Sequence, residues 1–168
     1  MWYVLQTKTG MEETIIDSCR KHLSGKVLHN IFQLRYERMK KYQGEWRMDS
    51  EKLYPGYIFI ESLEPKELNQ SLRRFEGIAW GLGDEREILS LYEQEESFLK
   101  SICGQDYTVK MSRGVIRDGQ TIISEGPLKD YGERIRKIDR HKRLALVEAP
   151  LGHKIREVKL GLEITEKN

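Results

Sequence analysis

The sequence predicts an α+β protein in two parts, a small sheet covered by helices and then a small β-barrel. Three observations carry this. In the first hundred residues, strand-like runs alternate with apolar positions spaced every three to four residues, in the order β-α-β-β-α-β with a trailing helix. From about residue 115 the texture changes to short strands separated by tight turns, as in a small barrel. Between them Gly104 to Arg113 has no clear period and is rich in turn formers, so it reads as a linker.

Trp2 to Thr7 reads as the first strand, with Lys8-Thr9-Gly10 as the turn leaving it. Met11, Ile15, Cys19 and Leu23, with Ile16 beside them, describe one helix face that Ser24-Gly25 stops. Ile31 to Arg38 alternates as a half-buried strand, and the polar segment Lys40 to Lys52 reads as an extended hairpin or mobile loop. In LYPGYIFIES, Pro55-Gly56 marks a turn into Tyr57-Ile58-Phe59-Ile60, with Tyr57 and Phe59 on one face and Ile58 and Ile60 on the other. The aromatic side chains here either cap a core or await a partner.

Pro65 suits a first helical turn ahead of Leu68, Leu72 and Phe75. Gly77 to Gly83 carries Ile78, Trp80 and Leu82 on one face of a last short strand, and Ser90 to Glu93 is a capping-box pattern opening a helix to about Ile102. The later strands are Gln120 to Ser124, Arg134 to Asp139, Leu144 to Ala149 and Ile155 to Ile164. The expected domains are therefore 1–102, a linker at 103–114, and a barrel at 115–168.

Of the 168 residues, 38% are hydrophobic and 33% charged, a globular balance. No run approaches a membrane span, and Met1 leads directly into WYVLQ, so a cytoplasmic protein with no membrane partner is expected. Cys19 and Cys103 have no CxxC partner, and His22, His29, His141 and His153 show no metal spacing. Without a Ser/His/Asp set, a phosphate loop or an HExxH pattern, the expectation is a binding protein, not an enzyme, with no catalytic residue, metal or cofactor.

The net charge of +2 hides an asymmetry: residues 1–100 hold 15 basic against 17 acidic residues, residues 101–168 hold 14 against 10. The excess concentrates in ERIRKIDRHKRLAL, Glu133 to Leu146, where six of fourteen residues are Arg or Lys and two are acidic. Guanidinium forks on a rigid hairpin suit the phosphates and unpaired bases of a folded RNA. The competing reading is a solvated barrel edge that uses charge against aggregation. Arg38, Lys40, Lys41 and Arg47, with Tyr42 and Trp46 between, are candidate contacts to non-template DNA, or a solvated tip.

WYVLQTKTGMEE, LYPGYIFIES, GIAWGLG and SEGPLKDYGERIRKID together resemble, in order and spacing, the NusG family of transcription elongation factors. The resemblance implies an NGN-like first domain and a KOW/SH3-like barrel. It implies that Trp2, Tyr54, Tyr57 and Phe59 face the clamp region of RNA polymerase, and that Asn69, Gln70 and Ser71, matched to a helix start, reach the other side of the polymerase cleft. Two departures stand out: Tyr131-Gly132-Glu133 replaces the family's aromatic-Asn-Gly, and Leu151-Gly152-His153 replaces the Phe-Gly of the loop that meets ribosomal protein S10 or Rho.

With the basic turn, these departures make the chain most similar to the LoaP antitermination subgroup. That implies a monomer binding an RNA hairpin in the nascent transcript through Arg134, Arg136, Lys137, Arg140, His141, Lys142, Arg143, His153 and Lys154 and promoting readthrough of terminators. The alternatives are a general factor coupling polymerase to S10 or Rho without specific RNA binding, and a ribosome-associated KOW protein.

Overall fold

A computed structural model describes residues 1–75, 78 and 88–168. Chain order begins β1 (Trp2–Gln6), α1 (Glu12–His22), β2 (Asn30–Phe32), β3 (Arg35–Tyr42), β4 (Glu45–Lys52), β5 (Tyr57–Glu61) and α2 (Pro65–Leu72). It continues with β6 (Leu89–Ser90), α3 (Glu93–Ile102), β7 (Thr108–Val109), β8 (Ser112–Arg117) and β9 (Gln120–Glu125). Two 3₁₀ turns, Pro127–Asp130 and Gly132–Arg134, precede β10 (Ile135–Asp139), β11 (Leu144–Leu151) and β12 (Lys154–Lys167). The fold is α+β, and no described helix is long and apolar enough to cross a membrane.

Two compact units emerge, residues 1–33 with 54–96 and residues 34–53 with 97–168. The cut falls elsewhere than at residue 102, because the β3–β4 hairpin groups with the barrel. The segment 103–114 itself carries β7, which lies parallel to β3, and the start of β8.

In the first unit β1 is central in the order β2-β5-β1-β6, with every pairing antiparallel. Strand alternation sends Tyr3, Leu5, Ile31, Ile58 and Ile60 to one face, where they pack with Ile15, Ile16 and Cys19 of α1 and Leu68 and Leu72 of α2. Each such side chain, removed from water, stabilises the fold by roughly 1.5–3 kcal/mol. Trp2, Val4, Phe32 and Phe59 take the other face, since Val4 pairs with Phe59 and Phe32 with Phe59 across the ladder.

Two expectations change here. Ile31 to Arg38 is two strands, broken at Gln33-Leu34. The capping box lies two residues later than the sequence pattern placed it: Ser90 belongs to β6, and Tyr92 N–H donates to Glu95 Oε1 at 3.0 Å. Of the proposed strand at Gly77 to Gly83, Ile78 forms an isolated bridge with Thr7 and packs on the core, while Trp80 and Leu82 lie outside the described residues.

In the second unit β3 and β4 form a hairpin about Gln43-Gly44, and five strands make the barrel sheet in the order β10-β11-β12-β8-β9. Val147, Ala149 and Leu151 of β11 and Val158, Leu160 and Leu162 of β12 are buried in its core, at every second position as strand alternation requires. β12 leaves β11 at Gly161 and runs on parallel to β8 from Leu162. A side chain at 161 would sit 2.4 Å from the Glu37 carbonyl oxygen and 2.1 Å from Met111 Sδ, so the close approach of β12 to β3 demands glycine.

Candidate nucleic-acid interface and the aromatic strand mouth

The aromatic mouth of β5 is built by a turn and a buried carboxylate. Tyr57 N–H donates to the Tyr54 carbonyl at 3.1 Å, with Pro55 second and Gly56 third at φ +84°, the arrangement a type II turn needs. Gly56 N–H donates to Glu12 Oε1 at 2.8 Å and Gly10 N–H to Glu12 Oε2 at 2.8 Å; Glu12 is wholly buried. Thr7 N–H closes the frame on the Gly56 carbonyl at 2.8 Å. The sequence pattern missed Glu12, whose only signal was an acidic residue in the first turn of α1.

Behind that turn the rings pack on one another. Trp2 meets Phe32 edge-on at 4.9 Å between centroids, Phe32 stacks on Phe59 at 6.0 Å, and Tyr54 lies 5.9 Å from Phe59. Trp2, Tyr54 and Phe59 are buried; Tyr57, 6.4 Å from Tyr54, is half-buried. Asn69, Gln70 and Ser71 are not at a helix start, because α2 begins at Pro65 and they occupy its second turn. Asn69 Oδ1 accepts Ile88 N–H at 2.8 Å, Gln70 is exposed and Ser71 half-buried.

The hairpin cations face acids of their own hairpin. Arg38 lies 3.4 Å from Glu51, Lys40 pairs with Glu51 and lies 3.6 Å from Asp49, and Arg47 lies 3.9 Å from Glu45. Lys41 sits 5.9 Å over the Trp46 ring. Tyr36 donates its hydroxyl to Glu51 at 2.7 Å, and burial first, then this bond, pushes its phenol well above the ordinary tyrosine value. Burial would raise the Glu51 carboxyl, but hydrogen bonds from Lys40 and Tyr36 and the charges of Arg38 and Lys40 outweigh it, holding it at about 2.

The basic edge divides into engaged and free groups. Arg134 lies 4.4 Å over the Phe98 ring and 5.8 Å from that of Tyr131. Arg136 grips Glu148 with both arms of its guanidinium, at 2.6 and 2.7 Å. Arg143, at φ +54°, stacks 4.0 Å over Trp46 and lies 3.5 Å from Glu163. Lys137, Arg140, His141 and Lys142 are exposed, and among the described residues Lys137, Arg140 and Lys142 form no ion pair. Their turn is braced where Asp139 Oδ1 accepts Lys142 N–H at 3.0 Å, a bond that, with the nearby cations, holds the Asp139 carboxyl below its usual value.

His153 and Lys154 do not join this set. They sit at the β11–β12 turn, with Lys154 opposite Leu151, whereas the basic turn joins β10 to Leu144 at the other end of β11, roughly 23 Å away along the strand. Leu151 is buried in the barrel core, while Ile155 beyond the turn is exposed. The sequence reading also missed Lys159, which lines a cavity of about 140 Å³ together with Lys137 and Lys142. Its signal was present in the alternation that sends Val158 and Leu160 inward and Lys159 out.

Among the described residues no group of three or more His, Cys, Asp or Glu could hold a metal ion. Burial pushes the Cys19 thiol up to about 11, against the charge of Arg74, and the Cys103 thiol up to about 12, so both stay protonated.

A helix-covered antiparallel sheet followed by a five-stranded barrel defines a small α+β architecture shared with a solved structure described as "Domain interaction in Thermotoga maritima NusG". That match has a TM-score of 0.57 at 18% identity and covers 97% of this chain and 93% of the other. The family model described as "Transcription termination factor nusG" matches residues 1–99, and the chain belongs to the NusG family. Relatives named "Transcription termination/antitermination protein NusG" match along 99% of the chain. That of Buchnera aphidicola subsp. Baizongia pistaciae is 25% identical with 96% of its length covered, and that of Escherichia coli (strain K12) is 23% identical with 95% covered.

Proposed function

We propose that this NusG-type termination/antitermination factor is a specialised, LoaP-like one. In this reading residues 1–102 bind the clamp region of RNA polymerase, residues 115–168 bind a hairpin in the nascent transcript, and the bound factor carries polymerase through terminators. The observation that supports it best is the free cationic group Lys137, Arg140 and Lys142, with Lys159 beside it, on a turn braced by Asp139. Exposed ammonium and guanidinium groups that form no ion pair, held on a hairpin, suit phosphate contact.

Polymerase docking then falls to Tyr57, the half-exposed ring, with Trp2, Tyr54 and Phe59 shaping the surface from behind; Gln70 is the exposed member of the second set. Coupling to S10 or Rho through Leu151 loses support, since that side chain is spent in the barrel core. DNA contact by the hairpin is likewise weakened by the acids that pair with Arg38, Lys40 and Arg47.

The test is a gel shift at near-physiological salt with excess transfer RNA, comparing hairpins from the leaders of the factor's target operons with scrambles of equal length. The hairpin should compete well above its scramble, and Arg140→Ala with Lys142→Ala should erase the preference. Equal competition by hairpin and scramble would return the protein to a general NusG-type role. Core-polymerase pull-down with Tyr57→Ala tests the other half: undiminished capture removes that assignment.

A further inference from the structure

The barrel sheet is not closed. β9 and β10 are its two edge strands, and among the described residues no ladder joins them. Between them lies an open cavity of about 620 Å³, in the range of small-ligand sites. Ile116, Ile123, Ile135 and Ile138 line it, and all four are only half-buried, although their type and position would bury them in a closed barrel. The register of β10 shifts between Ile135 and Lys137, and this bulge turns the strand at the cavity wall. Gln120 and Thr121, both exposed, supply an amide and a hydroxyl at its rim.

Lys137 and Ile138 also line a second cavity, of about 440 Å³, shared with Asp139, Arg140 and His141, in which three basic side chains outnumber the one carboxylate. An apolar slot therefore continues into the cationic turn. Resting on the RNA-binding reading above, we infer that the β9–β10 seam is a pocket for an unpaired nucleobase of the bound RNA. The isoleucines would contact the base faces, Gln120 and Thr121 its hydrogen-bonding edge, and Lys137 and Arg140 the flanking phosphates. The occupant follows from charge and shape together. RNA presents a flat, largely apolar face beside a row of anionic groups, and proteins read RNA mainly through such splayed, unstacked bases. An acidic peptide strand laid along the open edge is the competing occupant.

The experiment uses the full chain labelled for NMR at its backbone amides, which report on the basic turn, and at its isoleucine δ1 methyl groups, which report on the seam. Three probes are titrated at equal charge: a random-sequence single-stranded pentaribonucleotide, the same ribose-phosphate chain without bases, and an acidic, apolar peptide. The inference expects the pentanucleotide to shift the methyl signals of Ile116, Ile123, Ile135 and Ile138, while the baseless chain moves only signals of the basic turn. Thr121→Trp, which fills the cavity from an exposed position, should weaken pentanucleotide binding about tenfold and leave the baseless chain unaffected.

If both nucleic-acid probes move only the basic turn, the seam pocket is overturned and the RNA-binding reading survives. If neither binds, the seam pocket is overturned, and the hairpin-against-scramble gel shift decides the RNA-binding reading separately. Methyl shifts with the peptide alone overturn the nucleobase assignment in favour of strand addition. The spectrum of Thr121→Trp itself reports whether the variant is folded.

Discussion

The aromatic mouth of β5 and the basic turn after β10 each carry more of one chemistry than a small domain needs, yet the fold treats them in opposite ways. Trp2, Tyr54 and Phe59 are consumed by their neighbours, because rings gain from burying each other whatever else is present. Cations gain only where a counter-ion or ring is placed for them, so Arg134, Arg136 and Arg143 are engaged while Lys137, Arg140 and Lys142 are left to solvent. The planar guanidinium reaches a carboxylate with two arms or lies flat on a ring, which an ammonium cannot match. Apolar excess in a sequence is thus weak evidence of a partner, and unpaired cationic excess is stronger.

Truncating one member of each set should give the largest contrast. Phe59→Ala empties a fully buried site and should cost about 3–5 kcal/mol in urea unfolding. Arg140→Ala should leave the unfolding midpoint where it was while weakening RNA binding. Equal midpoints for the two variants would mean that Phe59 is not part of a packed core. Next in size is Glu12→Gln, which replaces a carboxylate accepting from Gly10 and Gly56 with a group carrying one acceptor, and should cost about 1–3 kcal/mol. Retained stability there would remove the carboxylate from the support of the Pro55-Gly56 turn.

A smaller effect sharpens the hairpin side. Glu51 titrates at about 2 in the folded chain against 4.5 for a free glutamate. A depressed carboxyl contributes stability that is fully present above 4.5 and is lost as pH falls toward 2. Solvent screening of a partly exposed group limits the loss to about 1 kcal/mol. Urea midpoints should therefore fall more between about pH 6 and about pH 3 for the natural protein than for Glu51→Gln. A fall of the same size in both would show that Glu51 gains nothing from Lys40, Tyr36 and Arg38.

Much of the fold was legible because it rests on local period. The alternation through β5 and β12 and the four-residue spacing of α1 fix faces without long-range information. What was not legible depended on partners distant in sequence. β6 and β7 are two-residue strands that exist through their pairing with β1 and β3. Glu12 acts across 44 positions on Gly56, and Arg143 finds Trp46 on another hairpin. The site reading had the same limit: residue types pointed to the basic turn, but only the ladder register shows that His153 and Lys154 sit at the far end of β11.

The smallest predicted effect tests whether engagement, and not residue type, decides which cations meet RNA. Arg136 is held by both oxygens of Glu148, which itself is drawn below the usual carboxylate value by that contact. While the pair holds, Arg136 neutralises no phosphate, and the salt dependence of RNA binding should reflect mainly Lys137, Arg140, Lys142 and Lys159. Glu148→Gln keeps the shape of the partner but removes its charge, releasing the guanidinium at the wall of the β9–β10 seam. The log–log slope of affinity against salt should then steepen by about 1, the contribution of one more neutralised phosphate. An unchanged slope would mean either that Arg136 already contacts RNA in the natural protein or that it lies outside the footprint. Arg136→Gln separates these outcomes, since it lowers the slope only in the first.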